Sequence, residues 1–171
     1  MGLVQADQPS FDLRRVYFVG TNTLVEGQPL CYQEIKANST KGYGMDVEIP
    51  NTDNERYFAG IVSPSSVGVV GPAYIDIIVP RPGDIIEVLI SNGADLAVGD
   101  LLKMNFDVPT LAGAELGAFD LAMALAASTT TSGSTIANAL LKGICRVANV
   151  SVASSASAAR VLRYVKFERN S

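Results

Sequence analysis

Residues 73–90 read Ala73-Tyr74-Ile75-Asp76-Ile77-Ile78-Val79-Pro80-Arg81-Pro82-Gly83-Asp84-Ile85-Ile86-Glu87-Val88-Leu89-Ile90, two β-branched runs separated by a turn. Each run is short and branched at Cβ, which suits a pleated strand better than a helix. Between them, proline presets φ for the first central position of a type II turn, and Gly83 accepts the positive φ of the second. The stretch predicts a β-hairpin over 73–90, and the rest of the chain is read outward from it.

Downstream, Ser91-Asn92-Gly93 is a second reversal signal, since both Asn and Gly accept left-handed backbone angles. Leu96-Ala97-Val98, the weaker turn Gly99-Asp100 and Leu101-Leu102-Lys103-Met104 follow at close spacing. Residues 111–127 are rich in Ala and Leu, but Gly113 and Gly117 oppose a helix, and context favours a small-residue strand at Ala122–Ala127. Ser128–Ser134 reads as a tip, Gly143–Val147 as a strand, and residues 148–159 as a long loop. Val161–Glu168 closes the chain as a strand with Val161, Val165 and Phe167 on one face.

Upstream, Tyr57–Val62 is an apolar strand, and residues 36–55 form a polar loop interrupted by a short strand at Met45–Ile49. Leu30–Ile35 and Arg15–Val19 are further strands, while residues 1–13 read as an extended N-terminal arm. Many short strands with frequent turns predict a mainly β protein, a small β-barrel in residues 14–171 carrying long loops at 36–55 and 148–159.

Composition narrows the function. Apolar residues make up 48% of the 171 and charged residues 18%, below the roughly 25% charged of an ordinary soluble domain. Either the buried fraction is large or other subunits cover part of the surface. No apolar run reaches the ~18 residues of a membrane span, and Met1–Asp7 lacks the basic and apolar regions of a secretory signal. Net charge is −4, which weighs against a nucleic-acid partner. Arg160, Arg163, Lys166 and Arg169 do gather near the C-terminus, and a solvated or subunit-facing strand accounts for them.

Chemistry is sparsely signalled. Histidine is absent, which removes the usual triad and imidazole metal sites. Cys31 and Cys145 lie far apart in apolar segments, so buried thiols are expected in place of a zinc site or a disulfide framework. Gly42-Tyr43-Gly44 lacks the third glycine and the following lysine of a phosphate loop. Asp76, Asp84, Glu87, Asp95 and Asp100 crowd the centre. If Asp84 and Asp100 met at neighbouring turns they could hold a cation or act as an acid/base pair; the plainer reading makes both of them turn residues. No catalytic residue, metal site or cofactor is expected.

The order of elements from Arg56 to about Val150 resembles the decoration, or cement, proteins of tailed-bacteriophage heads. The resemblance rests on Phe58-Ala59-Gly60-Ile61-Val62, on Pro82-Gly83-Asp84 leading into Ile85–Ile90, and on Leu96-Ala97-Val98-Gly99-Asp100-Leu101-Leu102-Lys103. The apolar Ala122–Ala127 segment, the Ser/Thr/Gly tip and Leu140-Leu141-Lys142-Gly143-Ile144 complete it. It covers about half the chain, and it implies a β-tulip-like barrel that forms homotrimers on the outer capsid surface and clamps major capsid subunits after expansion. It also implies a non-enzymatic virion protein, made in the host cytoplasm, that reaches the shell through its N-terminal segment and binds neither nucleic acid nor membrane. Two other readings fit the same residues: a fibre-base, tail or baseplate subunit, and a small β-clip enzyme using Asp84 and Asp100.

Overall fold

The computed structural model describes residues 11–33, 44–50, 54, 57–91, 97–107, 116–121, 143–148 and 160–168. Its strands are β1 Asp12–Phe18, β2 Pro29–Tyr32, β3 Asp46–Glu48, β4 Phe58–Val62, β5 Ala73–Val79, β6 Ile85–Ser91, β7 Leu101–Asp107, β8 Leu116–Leu121, β9 Cys145–Val147 and β10 Arg160–Phe167. A turn of 3-10 helix, Pro64–Ser66, stands between β4 and β5. The protein is mainly β, in two sheets. The first runs β1-β3-β2-β4-β5 and closes through β5 onto β1; the second runs β10-β6-β8-β7-β9 and closes through β9 onto β10. Closure pairs the backbone groups that an open sheet would leave along its edges.

The expected hairpin over 73–90 is not formed. β5 pairs with β1 and β4, whereas β6 pairs with β10 and β8, so the two runs belong to different rings. The turn between them is real: Asp84 N donates to Arg81 O at 3.0 Å, and Gly83 has φ +96°. Its far side is held by β10, with Gly83 N donating to Phe167 O and Phe167 N to Asp84 O. The inward face of each run is wholly apolar, while Asp76 in β5 and Glu87 in β6 lie on the other face. Ile75 and Ile77 fill the first ring while Ile78, on the opposite face of β5, is equally buried. The turn therefore hands the chain from one ring to the next.

Other boundaries moved less. β1 opens at Asp12, inside the segment expected as an arm, and residues 1–10 lie outside the described ones. The short strand within the 36–55 loop is β3, and it lies parallel to β1 through Tyr17–Asp46 and Phe18–Val47. In the 111–127 stretch the strand is Leu116–Leu121; the preferred Ala122–Ala127, the Ser128–Ser134 tip, and residues 149–159 of the expected second loop lie outside the described residues.

The two rings share one wiring diagram. In each, the first strand runs parallel to the third, and the remaining four contacts (third to second, second to fourth, fourth to fifth, fifth to first) are antiparallel. The registers agree as well. Phe18–Val47 and Tyr32–Val47 become Ile90–Phe119 and Met104–Phe119, a constant shift of 72 residues. Pro29–Ile61 becomes Leu101–Arg146, and Ile61–Ile78 becomes Arg146–Lys166. Loop bonds repeat too: Val62 N donates to Gln28 O at 2.9 Å, as Val147 N does to Asp100 O at 3.0 Å. Ser63 N donates to Asp76 O, as Ala148 N does to Tyr164 O.

Packing joins the rings into one body. Val16, Phe18, Leu24, Leu30, Val47, Ala59, Val62, Ile75 and Ile77 fill the first. The second holds Ile86, Val88, Ile90, Leu102, Met104, Cys145, Val147, Val165 and Phe167, and its cluster is completed from outside by Cys31, Phe58, Ile61 and Ile78. Those four sit on the outer face of β2, β4 and β5. Phe58 stacks on Phe167 with centroids 5.8 Å apart, and Cys31 Sγ lies 3.5 Å from Met104 Sδ. Burying each large apolar side chain stabilises by about 1.5–3 kcal/mol, so the seam holds the rings firmly together.

Candidate functional site

Asp84 and Asp100, the residues on which an acid/base or cation site would depend, are each engaged by their own turn. Arg81 N donates to Asp84 Oδ2 at 2.8 Å, and Ala97 N donates to Asp100 Oδ2 at 2.8 Å. Asp100 N returns a bond to Ala97 O at 3.1 Å, and Gly99 holds φ +92° between them. Asp is favoured in such turns because its short carboxylate closes a local ring with the backbone. The turns precede β6 and β7, which are not neighbours: β8 stands between them on one side, and β10 and β9 on the other. The structure does not bring the two carboxylates together.

A third turn of the same form escaped the sequence reading. Val25 N donates to Gln28 Oε1 at 3.0 Å, Gln28 N donates to Val25 O at 3.4 Å, and Gly27 has φ +71°. It occupies in the first ring the place that Ala97–Asp100 occupies in the second. Gln28 is fully buried, and its Nε2 has no hydrogen-bond partner. This loop also reaches across the seam, where Leu89 N donates to Gly27 O at 2.8 Å.

The remaining carboxylates are dispersed. Asp76 and Arg15 form an exposed pair at 3.5 Å, on neighbouring strands. Asp12 receives Arg81 through Nη2 at 2.6 Å and Nε at 3.0 Å, tying β1 to the connector; that hydrogen bond holds the Asp12 carboxyl below its usual range. Glu87 is raised, first by burial and then by the like charge of Glu26. Asp95 lies outside the described residues. Among the described residues, no group of three or more His, Cys, Asp or Glu is placed to hold a metal ion.

Cys31 and Cys145 are both buried and both free. Burial pushes the Cys145 thiol well above its usual range, which keeps it protonated and unreactive. Gly42 and Tyr43 lie outside the described residues, so the glycine pair is not placed. No described helix is long and apolar enough to cross a membrane.

Of the C-terminal basic residues, Lys166 is exposed on β10 and stands directly opposite Arg146 of β9. Arg146 Nε meets Glu168 Oε1 at 2.9 Å, and its Nη1 donates to Gly99 O at 2.9 Å. Lys103 of β7 shares this outer face, two positions beyond Leu101, which pairs with Arg146. Asp120 of β8 stands directly opposite Lys103, so the face carries both signs of charge.

The first ring carries the other conspicuous surface. Leu13, Val70 and Tyr74 expose 63%, 58% and 49% of their area, and Met45, Tyr57, Val67 and, before β7, Val98 are exposed as well. Tyr74 meets Tyr17 edge to face at 5.1 Å.

The chain matches no protein-family model and no curated protein.

Proposed function

We propose that this protein is a structural subunit of a tailed-phage virion, a decoration protein that binds the outside of the capsid and stabilises the expanded shell. The observation that carries the reading is that large apolar side chains of the first ring, Leu13, Val70 and Tyr74, stand about half or more uncovered. Large apolar groups left in water on a β-barrel suit a surface that another subunit covers. The wiring adds support: closed rings present rigid outer faces, and the central carboxylates Asp84 and Asp100 are spent on turn geometry.

In this reading the chain works without a cofactor or a catalytic step, through contacts repeated by symmetry. Its partners are the major capsid protein and two further copies of itself, as in a homotrimeric β-tulip-like decoration protein. Many weak, symmetry-related contacts then act together on one shell. Residues 1–10, ahead of β1, are assigned to shell attachment.

Co-sedimentation with expanded heads that lack their own copy tests the reading. Saturable binding at a fixed ratio to the major capsid protein, with heads more resistant to heat, is the expected result. Absence of binding by folded protein overturns it. Deleting residues 1–10 should weaken attachment while leaving the melting transition of the rings in place; unchanged attachment removes the arm from the proposal.

A further inference from the structure

Each ring has a glycine turn and a face that can receive one, and within the chain only one turn meets one face. On the second ring the receiving face is the cross-strand pair Leu89–Leu162 of β6 and β10. The first ring's Val25–Gln28 turn lies against it. A Cβ on Gly27 would fall 2.7 Å from Leu162 Cδ2 and 2.8 Å from Leu89 N, and Leu89 is only 9% exposed. The register correspondence carries Leu89–Leu162 to Tyr17–Tyr74 of β1 and β5, and carries the Gly27 turn to the Gly99 turn.

Both counterparts face solvent. Tyr74 is 49% exposed, next to Tyr17 with which it packs edge to face at 5.1 Å. Beyond its chain neighbours, Gly99 has nothing within 4 Å of the place a Cβ would take, and Val98 at the tip of that turn is 59% exposed. The tip has also changed character, since Val98 stands where the first turn has Glu26. We propose that the Val98 turn of one copy docks on the Tyr17–Tyr74 pair of another, repeating between copies a contact that the chain makes once within itself.

A second copy is the occupant because the matching turn is carried on the same chain and is apolar where the receiving pair is aromatic. Tyrosine supplies a large contact area and is enriched at protein interfaces. The backbone bond of the internal contact is not repeated: Tyr17 N donates to Met45 O at 2.9 Å, and Gly99 O accepts Arg146 Nη1 at 2.9 Å. Side chains carry the contact between copies. The nearby ion pairs, Arg15–Asp76 and Arg146–Glu168, each balance their own charge. Because two different surfaces meet, the arrangement is head to tail, and its repetition closes into a ring of copies or extends as a filament. For its role the proposal rests on the self-association within the shell-binding reading, but its test needs no capsid, so the two fail separately.

The test follows the mass of the full-length protein by analytical ultracentrifugation over a range of concentrations. Wild type is compared with Val98→Asp, Tyr74→Asp and a control, Leu13→Asp. Leu13 is the most exposed of the large apolar residues, and its counterpart Ile85 is not among the atoms that crowd Gly27. Melting curves verify folding, with Val98→Ser or Tyr74→Ser replacing an aspartate variant that does not fold. Expected are wild-type association, about ten-fold or more weaker association in both the Val98 and the Tyr74 variants, as for loss of an interface anchor, and little change in Leu13→Asp. Association that survives either variant, or that Leu13→Asp weakens equally, overturns the contact and leaves self-association standing. A wild type that is monomeric throughout overturns the contact and removes the further copies from the proposed function, while binding of that monomer to heads would keep the shell-binding reading.

Discussion

The two rings have the same strand order and the same registers, yet they treat corresponding positions in opposite ways. Inside, both are apolar: Val16, Leu30, Val62 and Ile77 of the first correspond to Val88, Leu102, Val147 and Val165 of the second, and all are buried. Outside, Ile61 and Ile78 have become Arg146 and Lys166. The interior is constrained by packing, where volume and polarity must be kept. The exterior is constrained only by what covers it, and in the first ring the outer face of β2, β4 and β5 is covered by the second ring. The comparison separates what a five-stranded ring needs in order to close from what each ring does with its surface.

The most disruptive test of this difference is at the seam. Phe58 and Phe167 stack across it and both are at most 6% exposed. Phe58→Ala should cost about 3–5 kcal/mol, the range for truncating a buried aromatic, as measured by urea denaturation. Because Phe58 belongs to the first ring yet packs in the second ring's cluster, amide exchange should accelerate in β6, β7, β9 and β10 as well as in β4. Acceleration confined to β1–β5 would mean that the rings unfold independently and that the shared cluster contributes little.

The matched glycines give a finer comparison. Gly27 and Gly99 both hold a positive φ in equivalent turns, but a Cβ on Gly27 would fall 2.8 Å from Leu89 N and 3.0 Å from Val88 Cα, while Gly99 has open space. Gly99→Ala should cost about 1–2 kcal/mol, the left-handed penalty alone. Gly27→Ala should cost more and should break the Leu89 N to Gly27 O bond that latches the loop to β6. Equal losses in the two variants would show that the latch carries no stability.

Smaller still are the turn-closing side chains. Asp84→Ala and Asp100→Ala each remove one bond to a backbone N–H at an exposed turn, worth about 0.5–1.5 kcal/mol. The two losses should be similar, and additive in the double variant, because each turn closes on itself. A strongly non-additive double variant would indicate contact between the carboxylates and would revive the acid/base alternative.

How much of this was legible in the sequence follows from the same physics. The β-branched runs at Ala73–Val79 and Ile85–Ile90 marked two strands to within a residue. What they could not mark was the partner, since alternation says which face of a strand is buried and leaves open which strand lies alongside it. The Pro82-Gly83-Asp84 turn was read correctly as a turn and wrongly as a hairpin, because turn chemistry fixes a reversal and leaves the choice of partner strand to tertiary packing. The doubling stayed hidden for a related reason. Gly27-Gln28-Pro29-Leu30 and Gly99-Asp100-Leu101-Leu102 share only the glycine, an oxygen acceptor at the next position and a leucine two further on. A search for Gly followed by Asp or Gln ahead of each apolar run is the signal that would have found it.

Acid titration probes the seam with the least perturbation. Glu87 on β6 is raised above its ordinary value by burial first and by Glu26 second, and Glu26 adjoins the Gly27 latch. A carboxyl whose folded pKa is raised binds its proton more tightly when folded, so its contribution to stability is complete below the unfolded pKa and is lost as pH rises through the folded one. Asp12, lowered by its hydrogen bond to Arg81, works in the opposite direction: its contribution is present above the ordinary value of 3.8 and is lost as pH falls through the lowered one. Glu87→Gln should therefore gain stability relative to wild type at neutral pH and lose that advantage as pH drops through the carboxylate range. Urea midpoints from pH 7 to pH 4 read the difference. An advantage that persists at pH 4 would place the cause in the amide's own packing, and the like charges flanking the latch would then play no part in holding one ring to the other.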